Sequence, residues 1–286
     1  HFDGRDVTAL EPQQRNIAQV FQFPVVYDTM TVADNLAFPL RNRGVDAARI
    51  KERVGRIAEM LELSAQLDRR AAGLAADAKQ KISLGRGLVR EDVAAVLFDE
   101  PLTVIDPHLK WQLRRKLKQI HRELKLTLIY VTHDQVEALT FAEQVVVMTR
   151  GRAVQIGTAS ELFERPRHSF VGHFIGSPGM NFLPGRGVGD AIEIAGRRLP
   201  APNDALARQP SFKLGLRPEY VQLAAAGDVG AVPAKVVSLQ DVGTWWLLTA
   251  HIDGAGEAAL LRARLEPGQA LLQAGDEVWL RIVGPH

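Results

Sequence analysis

The residues best placed to do chemistry are two adjacent acids, Asp99 and Glu100, and a histidine, His133. The first acid closes a continuous apolar run, 93–99 (Val-Ala-Ala-Val-Leu-Phe-Asp), with the composition of a strand buried in a parallel sheet. An acid at the C-terminal tip of such a strand stands at the mouth of the sheet, where open α/β folds bind ligands. Two neighbouring acids there suit nucleotide hydrolysis. One holds Mg²⁺ through water, and the next polarises an attacking water. A second apolar run, 126–132, leads into Thr132-His133-Asp134, and His133 lies 133 − 100 = 33 residues after Glu100. Strands of one sheet bring their tips together, so His133 can meet a terminal phosphate beside Glu100. Alone, the acid pair is a weak signal, and the histidine alone reads better as a turn or helix-capping residue.

The elements that must position these residues alternate. Residues 16–22 read as a short buried strand, and 28–40 as a helix start with Thr31 as its cap. Over 46–63, Ile50, Val54, Ile57, Met60 and Leu61 recur at helical spacing. A long helix rich in Lys, Arg and Leu covers 107–124, and a third apolar strand covers 144–149. Strands alternating with helices predict an α/β fold with a parallel sheet. Near Ser177-Pro-Gly-Met-Asn181 the pattern changes. Beyond it, β-like runs at 212–215, 234–239, 245–252, 259–265 and 277–283 alternate with Gly and Pro turns. That predicts a small all-β domain of barrel type, with a boundary at about residue 178.

Composition narrows the classes. The 286 residues allow one large or two modest domains. The formal charge, 35 − 33 = +2, and the lack of a dense basic run give no nucleic-acid footprint. Without cysteine, neither a disulfide framework nor a Cys-based metal site is available, which suits a reducing cytosol. No apolar stretch approaches the ~18 residues of a membrane span, and no signal peptide opens the chain, so any membrane role is expected to be peripheral. The cationic face of 107–124 reads as a solvated helix surface. Of Trp245 and Trp246, one is expected in the core and the other at an edge, rather than both forming a carbohydrate platform.

Four ordered motifs carry a resemblance to the ATP-binding-cassette (ABC) ATPases. Val96-Leu-Phe-Asp-Glu-Pro-Leu102 resembles their Walker B segment and Leu102-Thr-Val-Ile-Asp106 their D-loop. Tyr130-Val-Thr-His-Asp-Gln-Val-Glu-Ala-Leu139 is similar to their switch-histidine segment, and Val20-Phe-Gln22 to the Q-loop. Gly151-Arg-Ala-Val-Gln-Ile-Gly-Thr158 matches the strand pair after the switch, and Ser177-Pro-Gly-Met-Asn-Phe182 and Leu214-Gly-Leu-Arg-Pro-Glu219 resemble segments of the maltose-type sugar and glycerol-phosphate importers. The resemblance implies a P-loop NTPase domain at 1–178, with a helical subdomain at about 28–90, and an OB-like regulatory domain at 179–286. It implies ATP and Mg²⁺, with Glu100 and His133 catalytic, Asp99 and Gln22 at the metal, and Gln22, Asp99 and Asp106 at the nucleotide. It also implies membrane permease subunits, gripped near Phe23, Tyr27 and Met30, and indirectly a periplasmic binding protein. The expected location is the cytoplasmic face of the inner membrane, and the expected solute is glycerol, glycerol-phosphate or a sugar. A core role for those three residues stays open. So does a non-catalytic or regulatory subunit with a decayed site. A soluble ABC ATPase of DNA repair or translation is disfavoured by the β-rich tail.

Two departures from the family pattern shape the expectation. No G-x-x-x-x-G-K-[ST] loop occurs in the 286 residues. In the family it precedes the segment matching 2–7, so the domain reads as N-terminally incomplete. This polypeptide alone is expected to bind ATP poorly and to be inactive, without the loop's backbone nest and Lys. The second departure is the signature. Where the family has Leu-Ser-Gly-Gly-Gln, this chain has Leu74, Ala75, Ala76, Asp77 and Ala78, then Lys79-Gln-Lys81. That loop normally crosses a dimer interface to hold the partner's γ-phosphate. Ala75 removes the hydroxyl, and Asp77 sets a charge whose repulsion from each phosphate charge is ~3 kcal/mol at ~5 Å and an effective dielectric of ~20. Asp77 could instead simply cap the helix. Retained acids and histidine with a lost signature predict an asymmetric heterodimer with a second ABC ATPase subunit.

Overall fold

The computed structural model describes residues 1–2, 4–194, 196–201, 203–252, 259–268 and 272–283. Asp3, in the opening segment read above, lies outside them. The chain forms two compact units, His1–Glu143 and Gln144–His286.

The first unit runs β1 (Ile17–Val20), α1 (Val32–Arg41), α2 (Ala47–Met60), α3 (Ala76–Leu88), β2 (Ala95–Asp99), α4 (Pro107–Leu124), β3 (Leu128–Val131) and α5 (Gln135–Phe141). Its three strands pair in parallel in the order β1-β2-β3. Val20 lies opposite Phe98, and Asp99 opposite Val131, so all three strands end at the same edge. Helix α3 packs on β1, and α1 and α2 pack on α3 and on each other. In α2 the buried set is Arg53, Val54, Ile57 and Ala58, which matches the spacing seen in the sequence. Thr31 caps α1 as predicted, its hydroxyl accepting from the Asp34 N–H at 3.0 Å. Helix α3 lies hard against β1: a Cβ on Gly87 would meet Val20 Cγ2 at 2.6 Å, so only glycine permits that approach. On α4, Leu113, Leu117 and Ile120 are buried and the cationic side faces outward. Trp111 is exposed beneath the Arg115 guanidinium, 4.6 Å from its ring centre.

The second unit opens with the antiparallel pair β4 (Val145–Thr149) and β5 (Arg152–Gly157), then α6 (Ala159–Glu164) and α7 (Ser169–Phe174). Two antiparallel sheets follow. One has the order β8-β7-β6-β9, from β6 (Asn181–Val188), β7 (Ala191–Ile194), β8 (Arg197–Pro200) and β9 (Phe212–Leu216). The other has the order β10-β14-β11-β12-β13, from β10 (Val221–Ala224), β11 (Ala231–Asp241), β12 (Trp246–Ile252), β13 (Leu260–Leu265) and β14 (Glu277–Ile282). They share a core that includes Leu183, Ile192, Val232, Leu248, Leu261 and Leu280. Trp246 packs against this core, while Trp245 lies under the Arg264 guanidinium.

The composition shift at 178 and the structural division at Glu143 differ for a physical reason. Arg217, 2% exposed, donates to the carbonyls of Phe163 (2.7 Å), Gly172 (2.9 Å) and Ile175. This buried cation binds the ends of α6 and α7 to the β-rich tail, and β5 is tied to the α6–α7 link through Gln155, which donates to the Arg165 carbonyl at 3.1 Å and accepts from the Arg167 N–H at 2.7 Å.

Candidate active site

The common edge of β1, β2 and β3 gathers the residues singled out in the sequence. Asp99 ends β2 exposed, and Glu100 follows it half-buried. Glu100 has φ +45°, a left-handed conformation uncommon for a residue with a side chain. It is held by its own N–H, which donates to the Val131 carbonyl at 2.9 Å. The turn aims the carboxylate at the next strand tip. Glu100 Oε1 lies 2.8 Å from His133 Nδ1, and Oε2 accepts from the Thr103 hydroxyl at 3.2 Å. The hydrogen bond from His133 holds the Glu100 carboxyl below its ordinary range, and the same bond raises the His133 imidazole above its own. His133 is 75% exposed, so its outer face is free to meet a ligand. An imidazole shifted toward its charged form therefore stands beside the Glu100 carboxylate at the mouth of the sheet.

A second layer fixes this pair, and none of it was singled out from the sequence. Asp134 caps α5, accepting from the N–H groups of Val136 and Glu137. Glu137, 4% exposed, accepts from the Tyr130 and Thr132 hydroxyls at 3.0 Å each. Burial, with Glu137 alongside, pushes the Tyr130 phenol up, so it remains a donor. The available signal was a Glu three residues after an Asp cap at a helix start.

The other expected site residues are placed less directly. Gln22 follows the β1 tip, half-buried. Asp106 is the N-cap of α4, its carboxylate accepting from the His108 N–H at 2.9 Å. That is a structural duty the resemblance did not imply. Flanking and following Gln22, Phe21, Phe23, Val25 and Tyr27 present an exposed apolar row at every second residue. The row is rigidly mounted. Asn35, fully buried, exchanges hydrogen bonds with the Tyr27 N–H (2.8 Å) and carbonyl (3.0 Å). Arg86 donates to the Val25 carbonyl and covers the Tyr27 ring.

The altered signature forms the start of α3. Leu74 closes a short 3-10 turn, Ala75 is the N-cap with no side-chain bond, and Ala76, Asp77 and Ala78 form the first turn. Asp77 does not cap, because it sits inside the helix rather than at the cap position, so the capping alternative fails. Lys79 pairs with Asp28 at 2.8 Å and Lys81 with Glu62 at 3.4 Å. Asp77, Lys81, Ile105, Trp111 and Arg115 line a cleft of about 540 Å³.

Comparison with known proteins decides the family. The sn-glycerol-3-phosphate import ATP-binding protein UgpC of Pectobacterium atrosepticum is 40% identical over 290 residues, covering 99% of this chain and 78% of its own. The protein of the same name from Vibrio vulnificus is 37% identical, covering 100% and 77%. The chain belongs to this family of ABC import ATP-binding proteins. The corresponding protein of Cereibacter sphaeroides is 48% identical over 227 residues, 79% of this chain but 64% of that relative's length. A MalK OB fold domain model matches residues 176–221, and a TOBE domain model matches 214–284. Both fall in the β-rich tail, as the maltose-type resemblance implied. Among the described residues of this import ATP-binding protein, no helix is long and apolar enough to cross a membrane.

For Mg²⁺, the fit rests on few ligands. No group of three or more His, Asp or Glu among the described residues forms a cage. A nucleotide-borne Mg²⁺ needs only one or two carboxylates, its other ligands being phosphates and waters. Asp99 at the β2 tip would supply one such carboxylate, and Gln22 after the adjacent β1 tip an amide oxygen.

Proposed function

We propose that this chain is the ATP-hydrolysing subunit of a bacterial importer, with sn-glycerol-3-phosphate as its solute, working at the cytoplasmic face of the inner membrane. The Glu100–His133 pair at the edge where three parallel strands end carries the hydrolytic reading. The solute rests on the names of the relatives. Glu100, kept ionised by its partner, accepts a proton from the attacking water. His133 carries positive charge toward the terminal phosphate, and when it turns to that phosphate it frees Glu100 Oε1 for water. Asp99 and Gln22 hold Mg²⁺, which when bound offsets charge on the phosphate oxygens. The apolar row from Phe21 to Tyr27 receives the membrane permease subunits, on which the periplasmic binding protein delivers solute.

The uncapped, acid-bearing start of α3 supports a further reading: this chain serves its own nucleotide but not its partner's. A second ATPase subunit with an intact signature then completes one productive site. In the complete subunit assembled with its membrane partners, Glu100→Gln should remove most ATP turnover. Unchanged turnover would instead support a regulatory subunit with a decayed site. For the asymmetric pairing, the complete subunit is purified alone and with the second ATPase. Robust turnover by the chain alone sinks the heterodimer and leaves the catalytic assignment standing.

A further inference from the structure

We propose that Gln80 is a positioning residue for hydrolysis: its amide fixes the turn that carries Glu100 and ties that turn to the signature helix of the same chain. The inference rests on the reading of Glu100 as the base. Gln80 lies one turn into α3 and is fully buried. Its Nε2 donates to the Pro101 carbonyl at 2.6 Å, in the second peptide unit after Glu100.

That peptide needs a tether. Glu100 is a side-chain-bearing residue at φ +45°, and the proline after it narrows its choices further. On one side the sheet holds it through the bond to the Val131 carbonyl. On the other, the Thr103 N–H reaches back to the Glu100 carbonyl at 3.2 Å, and Leu102 is buried. Gln80 is the side chain that reaches in from outside the sheet and the turn to secure the carbonyl between them.

Packing alone does not account for an amide here. Gln80 Oε1 is buried with no hydrogen-bond partner among the described residues. Met or Leu would fill that volume without the orphaned Oε1 but would strip the Pro101 carbonyl of this donor, so apolar filling alone does not select an amide. What the amide adds is the N–H aimed at Pro101.

The test uses the complete subunit with its partners. Gln80→Met keeps the length and removes the donor. Its kcat should fall about tenfold or more, the scale of a small misplacement of a reacting group, with KM for ATP within about twofold. In a Glu100→Gln background the same change should add no further loss, because Gln80 acts through that carboxylate. Gln80→Glu offers a rescue. Burial raises the new carboxyl, so the protonated acid donates to Pro101 in place of the amide. Its turnover relative to the unmodified subunit should be near unity at about pH 6 and fall as the acid ionises toward about pH 9. An unmoved kcat in Gln80→Met, or a full additive loss in the double variant, overturns the inference. If Gln80→Met does not fold, a pH-independent ratio for Gln80→Glu overturns it alone. Unchanged turnover in Glu100→Gln overturns the base assignment and this inference with it. Dependence on Glu100 with indifference to Gln80 overturns only the latter.

Discussion

Ala75 stands where a helix cap belongs, and restoring one separates the structural from the functional effect of the altered signature. Its backbone, φ −65° and ψ 162°, matches Thr31 at −69° and 168° and Thr158 at −67° and 163°, which cap α1 and α6. Those hydroxyls accept from the N–H three residues on, at 3.0 and 3.3 Å. The equivalent donor in α3 is the Ala78 N–H. Ala75→Ser therefore needs no backbone movement and should add about 1 kcal/mol, within a range of about 0.5–2 kcal/mol. For a body of this size the corresponding rise in Tm is about 2–4 °C. Ala75→Asp should stabilise as much, since aspartate caps as well as serine and suits the helix N-terminus. In function the two must part. Serine offers a hydroxyl to an incoming phosphate, whereas aspartate adds a second negative charge beside Asp77. Urea denaturation and ATP turnover of the complete subunit, alone and with its partners, supply both readouts. A serine variant no more stable than the parent refutes the capping argument. Equal turnover gains from Ser and Asp would refute the electrostatic one.

Further outcomes follow from particular contacts. Asn35→Ala removes three hydrogen bonds, to the Tyr27 N–H and carbonyl and the Thr31 carbonyl, and should cost about 3 kcal/mol by chemical denaturation. Arg217→Met strands the carbonyls of Phe163, Gly172 and Ile175 and should cost at least about 3 kcal/mol, seen as a lowered urea midpoint for the β-rich unit. The raised His133 pKa means its contribution to stability is present below its ordinary value of 6.5 and is lost as pH rises through the raised one. The lowered Glu100 pKa means the opposite: its contribution is present above 4.5 and is lost as pH falls through the lowered one. The pair thus survives between those limits. An NMR titration should show the His133 pKa dropping in Glu100→Gln, and no change would break the pairing argument.

Where one physical cause dominated locally, the sequence was readable. Continuous apolar runs gave β2 and β3, and the acid and histidine at their ends meet because parallel strands end together. Where tertiary contact overrides local preference, it was not. β6 contains Pro184, Gly185 and Gly187, which argue against a strand. It forms because β7 and β9 pair with it on either side, and Gly187 is needed because a Cβ there would meet the Ala207 carbonyl oxygen at 1.9 Å. Arg217 stood out only as part of a family segment, and its burial among the carbonyls of Phe163, Gly172 and Ile175 was not legible there. Asp106 was assigned to the nucleotide by resemblance, and its carboxylate has the structural duty of capping α4, which the resemblance did not imply. Gln80 meets a carbonyl 21 residues away, on a turn after another strand, and a single sequence does not disclose such a pairing.

The altered signature and the intact pair are reconciled by the way α3 is anchored. Its first turn, Ala76 to Ala78, carries the substitutions and makes no side-chain cap. Its inner turns make the contacts on which the rest of the site depends. Gln80 holds the Pro101 carbonyl, Ser83 accepts from the Val25 N–H at 3.3 Å, Arg86 donates to the Val25 carbonyl, and Gly87 admits β1. The base turn, the apolar row after Gln22 and the strand that carries it are all fixed to this one helix. A change confined to the first turn alters what α3 can offer another molecule while leaving those anchors in place. Loss at the signature therefore does not predict loss at Glu100. On the reading proposed above, substitutions from Gln80 onward should weaken the site at Glu100, which those at Ala75 and Asp77 leave in place.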